Sequence, residues 1–87
     1  MEESLQTPIE LRNKGLYKES NLLLVDLAEI CSNNAQVNYQ CAWSFDVLGE
    51  EAKAVPYYEK AISLGLEDEN LEGALLGLGS TYRTLGE

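Results

Sequence analysis

Histidine is absent from this chain, and with it the commonest general base and metal ligand. Cysteine is scarce. Cys31 and Cys41 are the only two, and neither has an evident base partner to make it a thiolate nucleophile. Both are expected to be free thiols in a reducing compartment, which points to the cytoplasm. Basic side chains are few: Arg12, Lys14, Lys18, Lys53, Lys60 and Arg83 stand against fifteen acids, for a formal net charge of −9. Binding to nucleic acid or an anionic membrane needs a concentrated basic face, so both are excluded as expected partners. Long apolar runs are missing as well. The longest, Leu22 to Val25, has four residues, whereas a membrane span takes about 20. The acidic start Met1-Glu2-Glu3-Ser4 resembles neither a signal peptide nor a transit peptide. Carboxylates are plentiful, but nothing in their spacing gathers a pair into a pocket. The expectation is a non-catalytic protein with no cofactor and no metal.

What remains is ordinary for a globular chain: 45% hydrophobic and 24% charged residues over 87 positions, enough for one small domain with a modest core. Five helical segments follow from the apolar spacing. The first covers about Glu2 to Lys14, with Pro8 inside it as a source of fraying or as a first-turn residue, and Gly15 as a left-handed stop. The second covers about Lys18 to Cys31, with Leu23, Leu24, Leu27, Ala28 and Ile30 as a wide apolar stripe. The turn formers Ser32-Asn33-Asn34 break it. The third covers about Ala35 to Leu48 and presents Cys41, Ala42, Phe45 and Leu48 on one face. The fourth covers about Glu51 to Leu64 and turns Ala54, Val55, Tyr58, Ala61 and Ile62 inward. Gly49 and Gly65 end these two. The fifth covers about Leu71 to Leu85, after a loop at 66–70 whose acids suit a helix N-terminus. No strand-like alternation competes, and the short connections make neighbouring helices antiparallel.

The segments repeat. Leu75, Leu78-Gly79, Tyr82 and Leu85-Gly86 lie 37 residues beyond Asn38, Cys41-Ala42, Phe45 and Leu48-Gly49. A period in the thirties signals stacked helical hairpins, none of which buries its apolar face alone. The spacing resembles the tetratricopeptide repeat, whose pattern is W-x2-L-G-x2-Y, then A-x3-F, then a closing proline. Asn38, Cys41, Ala42 and Phe45 occupy the first-helix slots of the central unit. Ala54, Tyr58 and Ala61 occupy those of its second helix, and Leu66 replaces the proline. Small residues at Ala42 and Ala54 let two helices approach, with Phe45 and Tyr58 filling the space beside them. The N-terminal unit matches more weakly, through Leu24 and Leu27 and a turn at Gly15–Ser20. The resemblance implies an all-α fold, a right-handed α-solenoid of antiparallel helical hairpins with five helices. It forms a single domain over 1–87, with one repeat at 1–34, a second at 35–68 and the first helix of a third at 69–87.

The resemblance also implies a site. Family members line a concave groove with their first helices, and here the groove positions are Ile9, Arg12, Gln36, Tyr39, Trp43, Asp46, Leu76, Ser80 and Arg83. Tyr39 and Trp43 lie four apart and share a helix face. Aromatic residues and arginine are common binding anchors. Trp43 has two open readings, as a groove anchor or as packing between adjacent first helices. The basic clamp with which some members hold chaperone tails is missing, because Leu5, Ile9, Tyr39, Gln40 and Trp43 occupy its positions. The segment Asp68-x-Asn70-x-Glu72-Gly73 has the start of a calcium loop, but Gly79 stands where the twelfth-position acid is required.

The third unit lacks its second helix. Leu78, Tyr82 and Leu85 are expected to face that missing partner, and burying each is worth roughly 1.5–3 kcal/mol. Three explanations stay open: a fragment of a longer repeat protein, which is favoured; a homo-oligomer formed through this stripe; or a polar-capped end. The expected function is a scaffold that binds a peptide or protein segment in the groove. The alternative is a structural module that dimerises through its C-terminal helix.

Overall fold

The computed structural model describes residues 2–84, with side chains over 5–80. Five helices follow one another: α1 (Glu2–Asn13), α2 (Tyr17–Ile30), α3 (Ala35–Val47), α4 (Glu51–Ser63) and α5 (Asp68–Thr84). No strand occurs among the described residues.

The turns are set by local chemistry. Gly15 and Gly49 sit at positive φ, +83° and +78°, the region open to a residue without Cβ. At each, the last turn closes by a paired bond. Glu50 N–H reaches Phe45 C=O at 2.9 Å and Gly49 N–H reaches Asp46 C=O at 3.0 Å. Leu16 to Leu11 and Gly15 to Arg12 repeat the arrangement at 2.9 and 3.0 Å. This Schellman closure satisfies carbonyls that a helix end leaves open. The α2–α3 turn uses asparagines instead. The Asn34 side chain accepts from Val37 N–H at 3.0 Å and so caps α3. The Asn38 side chain donates to the Ser32 and Asn34 carbonyls. Asn38 occupies a core slot in the repeat pattern, and it is buried there as a turn clamp rather than as a hydrophobe.

Each helix packs on its chain neighbour, and α3 also meets α5. Two apolar clusters result. Leu24, Ala28, Val37 and Cys41 join α2 to α3. Ala42, Ala54, Tyr58, Ala61, Leu66 and Ala74 join α3, α4 and α5. Phe45 and Tyr57 border both, with stacked rings 5.6 Å apart. The small residues expected at the hairpin crossing, Ala42 and Ala54, are fully buried, and Tyr58 fills the space beside them.

Three expectations need correction. α1 runs unbroken through Pro8, which is buried. α5 starts at Asp68, three residues before Leu71. Its early start suits the acids Asp68 and Glu69, which sit in the first turn against the positive helix end. The α2 stripe is narrower than its aliphatics suggested: Leu24 and Ala28 are buried and Leu27 half-buried, but Leu23 and Ile30 are exposed. Three consecutive leucines cannot share one helix face, so part of that run must turn outward.

Candidate binding surface

Arg12 lies in the last turn of α1, where the helix dipole favours a cation. Its guanidinium sits over the Trp43 ring of α3, 3.8 Å from the centroid. Its Nη1 donates to Gln40 Oε1 at 2.6 Å. Trp43 and Gln40 are three apart on α3, so one arginine reaches both across the α1–α3 junction. Burial pulls the Arg12 pKa below the ordinary arginine value, against an opposing pull from Tyr39. Trp43 keeps 39% of its surface exposed. The ring therefore both bridges adjacent first helices and faces solvent.

Below this junction lies a buried polar seam between α2 and α3. Asn21 donates through Nδ2 to Ser44 Oγ at 2.8 Å, and Ser44 donates to the Cys41 carbonyl at 2.6 Å. The seam fixes the axial position of α3 relative to α2, because either helix would leave a buried polar group unpaired if it slid.

Tyr39 is half-buried, its ring 6.3 Å from that of Tyr58 and tilted by 50°. Its hydroxyl lies so close to Gly73 of α5 that a Cβ there would collide with it. Tyr39 thus contributes to the α3–α5 contact, beside Ala42 and Ala74. Asp46, also half-buried, accepts a hydrogen bond from the Tyr58 hydroxyl at 3.0 Å. Burial, and after it the Asp46 charge, pushes the Tyr58 pKa well above 10. Gln36 lines a cleft of about 660 Å³ between the start of α3 and the turn at 65–67 with the first turn of α5. Leu76 is 73% exposed, and Ser80 is exposed, both on α5; Ile9 is half-buried on α1. The Arg83 side chain lies outside the described residues.

The structure therefore brings Arg12 and Trp43 together, and it gives Tyr39 and Asp46 partners in the core. Gln40 as the acceptor for Arg12 was not foreseen. The only hint is its place one turn from Trp43. Leu78, expected to face a following helix, is half-buried against the cluster of α3, α4 and α5. Leu75 and Leu76 are the exposed leucines of α5. The Tyr82 side chain and all of Leu85 lie outside the described residues.

Among the described residues, no three His, Cys, Asp or Glu side chains gather as metal ligands. No described helix is long and apolar enough to cross a membrane. Both cysteines are unpaired.

A family model described as tetratrico peptide repeat matches residues 35–87, the stretch holding α3, α4 and α5. The chain belongs to the tetratricopeptide-repeat family. Its five helices are accordingly an all-α repeat solenoid. Proteins of this family are generally scaffolds for protein–protein interaction and are typically non-catalytic. The matched stretch leaves out α1 and α2, so the Arg12–Trp43 contact joins the recognised repeats to a hairpin outside the match. No curated protein matches the sequence significantly.

Proposed function

We propose that this tetratricopeptide-repeat chain is a non-catalytic scaffold that binds an extended or helical segment of another protein along α1, α3 and α5. The observation that carries the proposal is the half-open Trp43 ring with the Arg12 guanidinium seated on it. Such a pair offers apolar area, hydrogen-bond donors and a fixed geometry before any partner arrives, which lowers the ordering cost of binding. Leu76 extends the apolar surface on α5. The free thiols support a cytoplasmic setting.

Trp43 is the only tryptophan, so its emission reports on the groove directly. Titration with a peptide library should shift that emission for the binding members. Arg12→Ala should weaken those same members without loss of helical circular dichroism. Binding that survives Arg12→Ala unchanged, with no tryptophan response, would place the partner elsewhere.

A second reading, self-association through α5, draws on the exposure of Leu75 beside Leu71 on that helix. Sedimentation of the wild type against Leu75→Glu tests it: a monomer in both cases removes it.

A further inference from the structure

The outer face of α2 breaks two local rules at once. Its inner face buries Ser20, Asn21, Leu24 and Ala28. Its outer face carries Leu23 and Ile30, seven residues apart, in line with Leu16 just before the helix, and Leu22 alongside. All four are exposed, Leu22 at 68% and Ile30 at 79%. Single exposed leucines are normal, but a row of them along one helix is a patch. The second broken rule is electrostatic. Glu19 and Asp26 are exposed on this same face, and Glu29, also exposed, lies at its edge on the side toward Tyr57 of α4. Glu29 sits in the last turn, which has no basic residue, although a helix C-terminus favours cations. Departures from local preference without compensation inside the fold mark functional surface.

We propose that this face docks an amphipathic helix of a partner protein whose apolar stripe is flanked by lysine or arginine. The seven-residue spacing of Leu16, Leu23 and Ile30 presents a ridge that an opposing helix can straddle. At 1.5 Å per residue the ridge is about 21 Å long and takes a partner of roughly 14–18 residues. Charge selects the occupant. A second copy of this chain would set Glu19, Asp26 and Glu29 against the same acids. A basic helix places its cations opposite those acids and its aliphatic residues on the leucine row. Lys18 is the only cation of α2 and lies at the edge of the face. The surface is separate from the Arg12–Trp43 pair, which belongs to α1 and α3, so it stands or falls independently of groove binding.

The test uses the whole chain and three fluorescent synthetic peptides of about 18 residues. One is leucine and lysine in helical register, one a scramble of identical composition, and one a leucine–glutamate counterpart. Anisotropy at physiological salt should show the in-register basic peptide binding roughly tenfold or more tighter than the scramble, and the acidic peptide not binding. Leu23→Ser with Ile30→Ser should weaken the basic peptide by about tenfold or more. So should Asp26→Lys with Glu29→Lys, a pair that also suits the helix dipole and so keeps the fold. Trp43→Ala should leave it unchanged. Equal binding of the scramble would overturn the proposal, as would wild-type affinity in both double variants or loss on Trp43→Ala alone. So would a wild-type dimer that Leu23→Ser with Ile30→Ser dissociates, because the face would then be a self-interface.

Discussion

The Ser20 hydroxyl donates to the Pro8 carbonyl at 2.7 Å, and both residues are fully buried. They lie 34 residues before Ala42 and Ala54, the small residues at the α3–α4 crossing. The N-terminal hairpin therefore solves the same problem with different chemistry. Where the central unit uses two alanines, this one uses a proline ring and a compact hydroxyl that satisfies a backbone oxygen. Proline cannot donate to its own helix, but here it fills the crossing, and its carbonyl is held from the neighbouring helix.

Substitutions at Ser20 should separate size from hydrogen bonding. Ser20→Ala removes one buried bond and should cost about 0.5–1.5 kcal/mol. Ser20→Leu forces extra methylenes into a filled crossing and should cost more, about 1–3 kcal/mol or above. Urea denaturation followed by circular dichroism measures both. A leucine variant as stable as the alanine variant would mean that the crossing has room to spare.

The glycines of α5 should respond with opposite signs. A Cβ at Gly79 meets nothing within 4 Å, so Gly79→Ala should stabilise by about 0.5–1 kcal/mol through helix propensity alone. A Cβ at Gly77 would lie 2.6 Å from Tyr58 Cζ and its hydroxyl oxygen. Tyr58 cannot swing aside, because it is 2% exposed and bound to Asp46. Gly77→Ala should therefore destabilise, with overpacking of about 1–3 kcal/mol outweighing the propensity gain. Thermal melts of the two variants decide it, and the same sign for both would refute the close approach of α5 to Tyr58.

Much of this fold was legible from the sequence because the period, the glycine stops and the small residues all point the same way. Gly15, Gly49 and Gly65 each sit two positions past a helix end. What escaped were polar residues in buried places. Ser20, Asn21, Gln40 and Ser44 are all buried, yet apolar periodicity assigns such side chains to water. Their burial depends on partners up to 28 residues away, as for Arg12 and Gln40, and no local pattern encodes that. The outward leucines of α2 escaped for the converse reason: periodicity counts an aliphatic residue as core unless something marks it as surface. Of the candidate site, Arg12 and Trp43 were readable as groove positions, but their mutual contact was not.

Arg12 and Trp43 should be energetically coupled. A cation over an aromatic face at a partly exposed site contributes about 0.5–1 kcal/mol. A double-mutant cycle of Arg12→Ala and Trp43→Ala, read by urea denaturation, should return a coupling of that order. Helical circular dichroism at low urea should be retained in all three variants, because both side chains lie at the surface of the α1–α3 junction rather than in either apolar cluster. Strict additivity would mean that the stacked geometry contributes nothing in solution. Collapse of helicity in Trp43→Ala would make the ring a core residue and deny it a binding role.

Alkali should destabilise this protein earlier than its tyrosines alone would. Cys41 is fully buried, and burial pushes its thiol from 9.0 up to about 12, although a hydrogen bond with Tyr57 pulls the other way. Between those two values the folded chain keeps a proton that the unfolded chain releases. Stability is therefore complete below pH 9 and falls as pH rises toward 12, at up to about 1.4 kcal/mol per pH unit from this one group. Tyr58 and Tyr57 are likewise raised above 10 by burial, so their losses begin one unit later and add to the first. Cys41→Ala leaves a small cavity and lowers stability at every pH, but it should flatten the interval from pH 9 to 10 while keeping the steeper fall beyond. Urea midpoints taken at half-unit steps from pH 8 to 11 resolve the two phases. An identical slope between pH 9 and 10 in wild type and Cys41→Ala would mean that the thiol titrates alike in the folded and unfolded chains, which is incompatible with its place between α2 and α3.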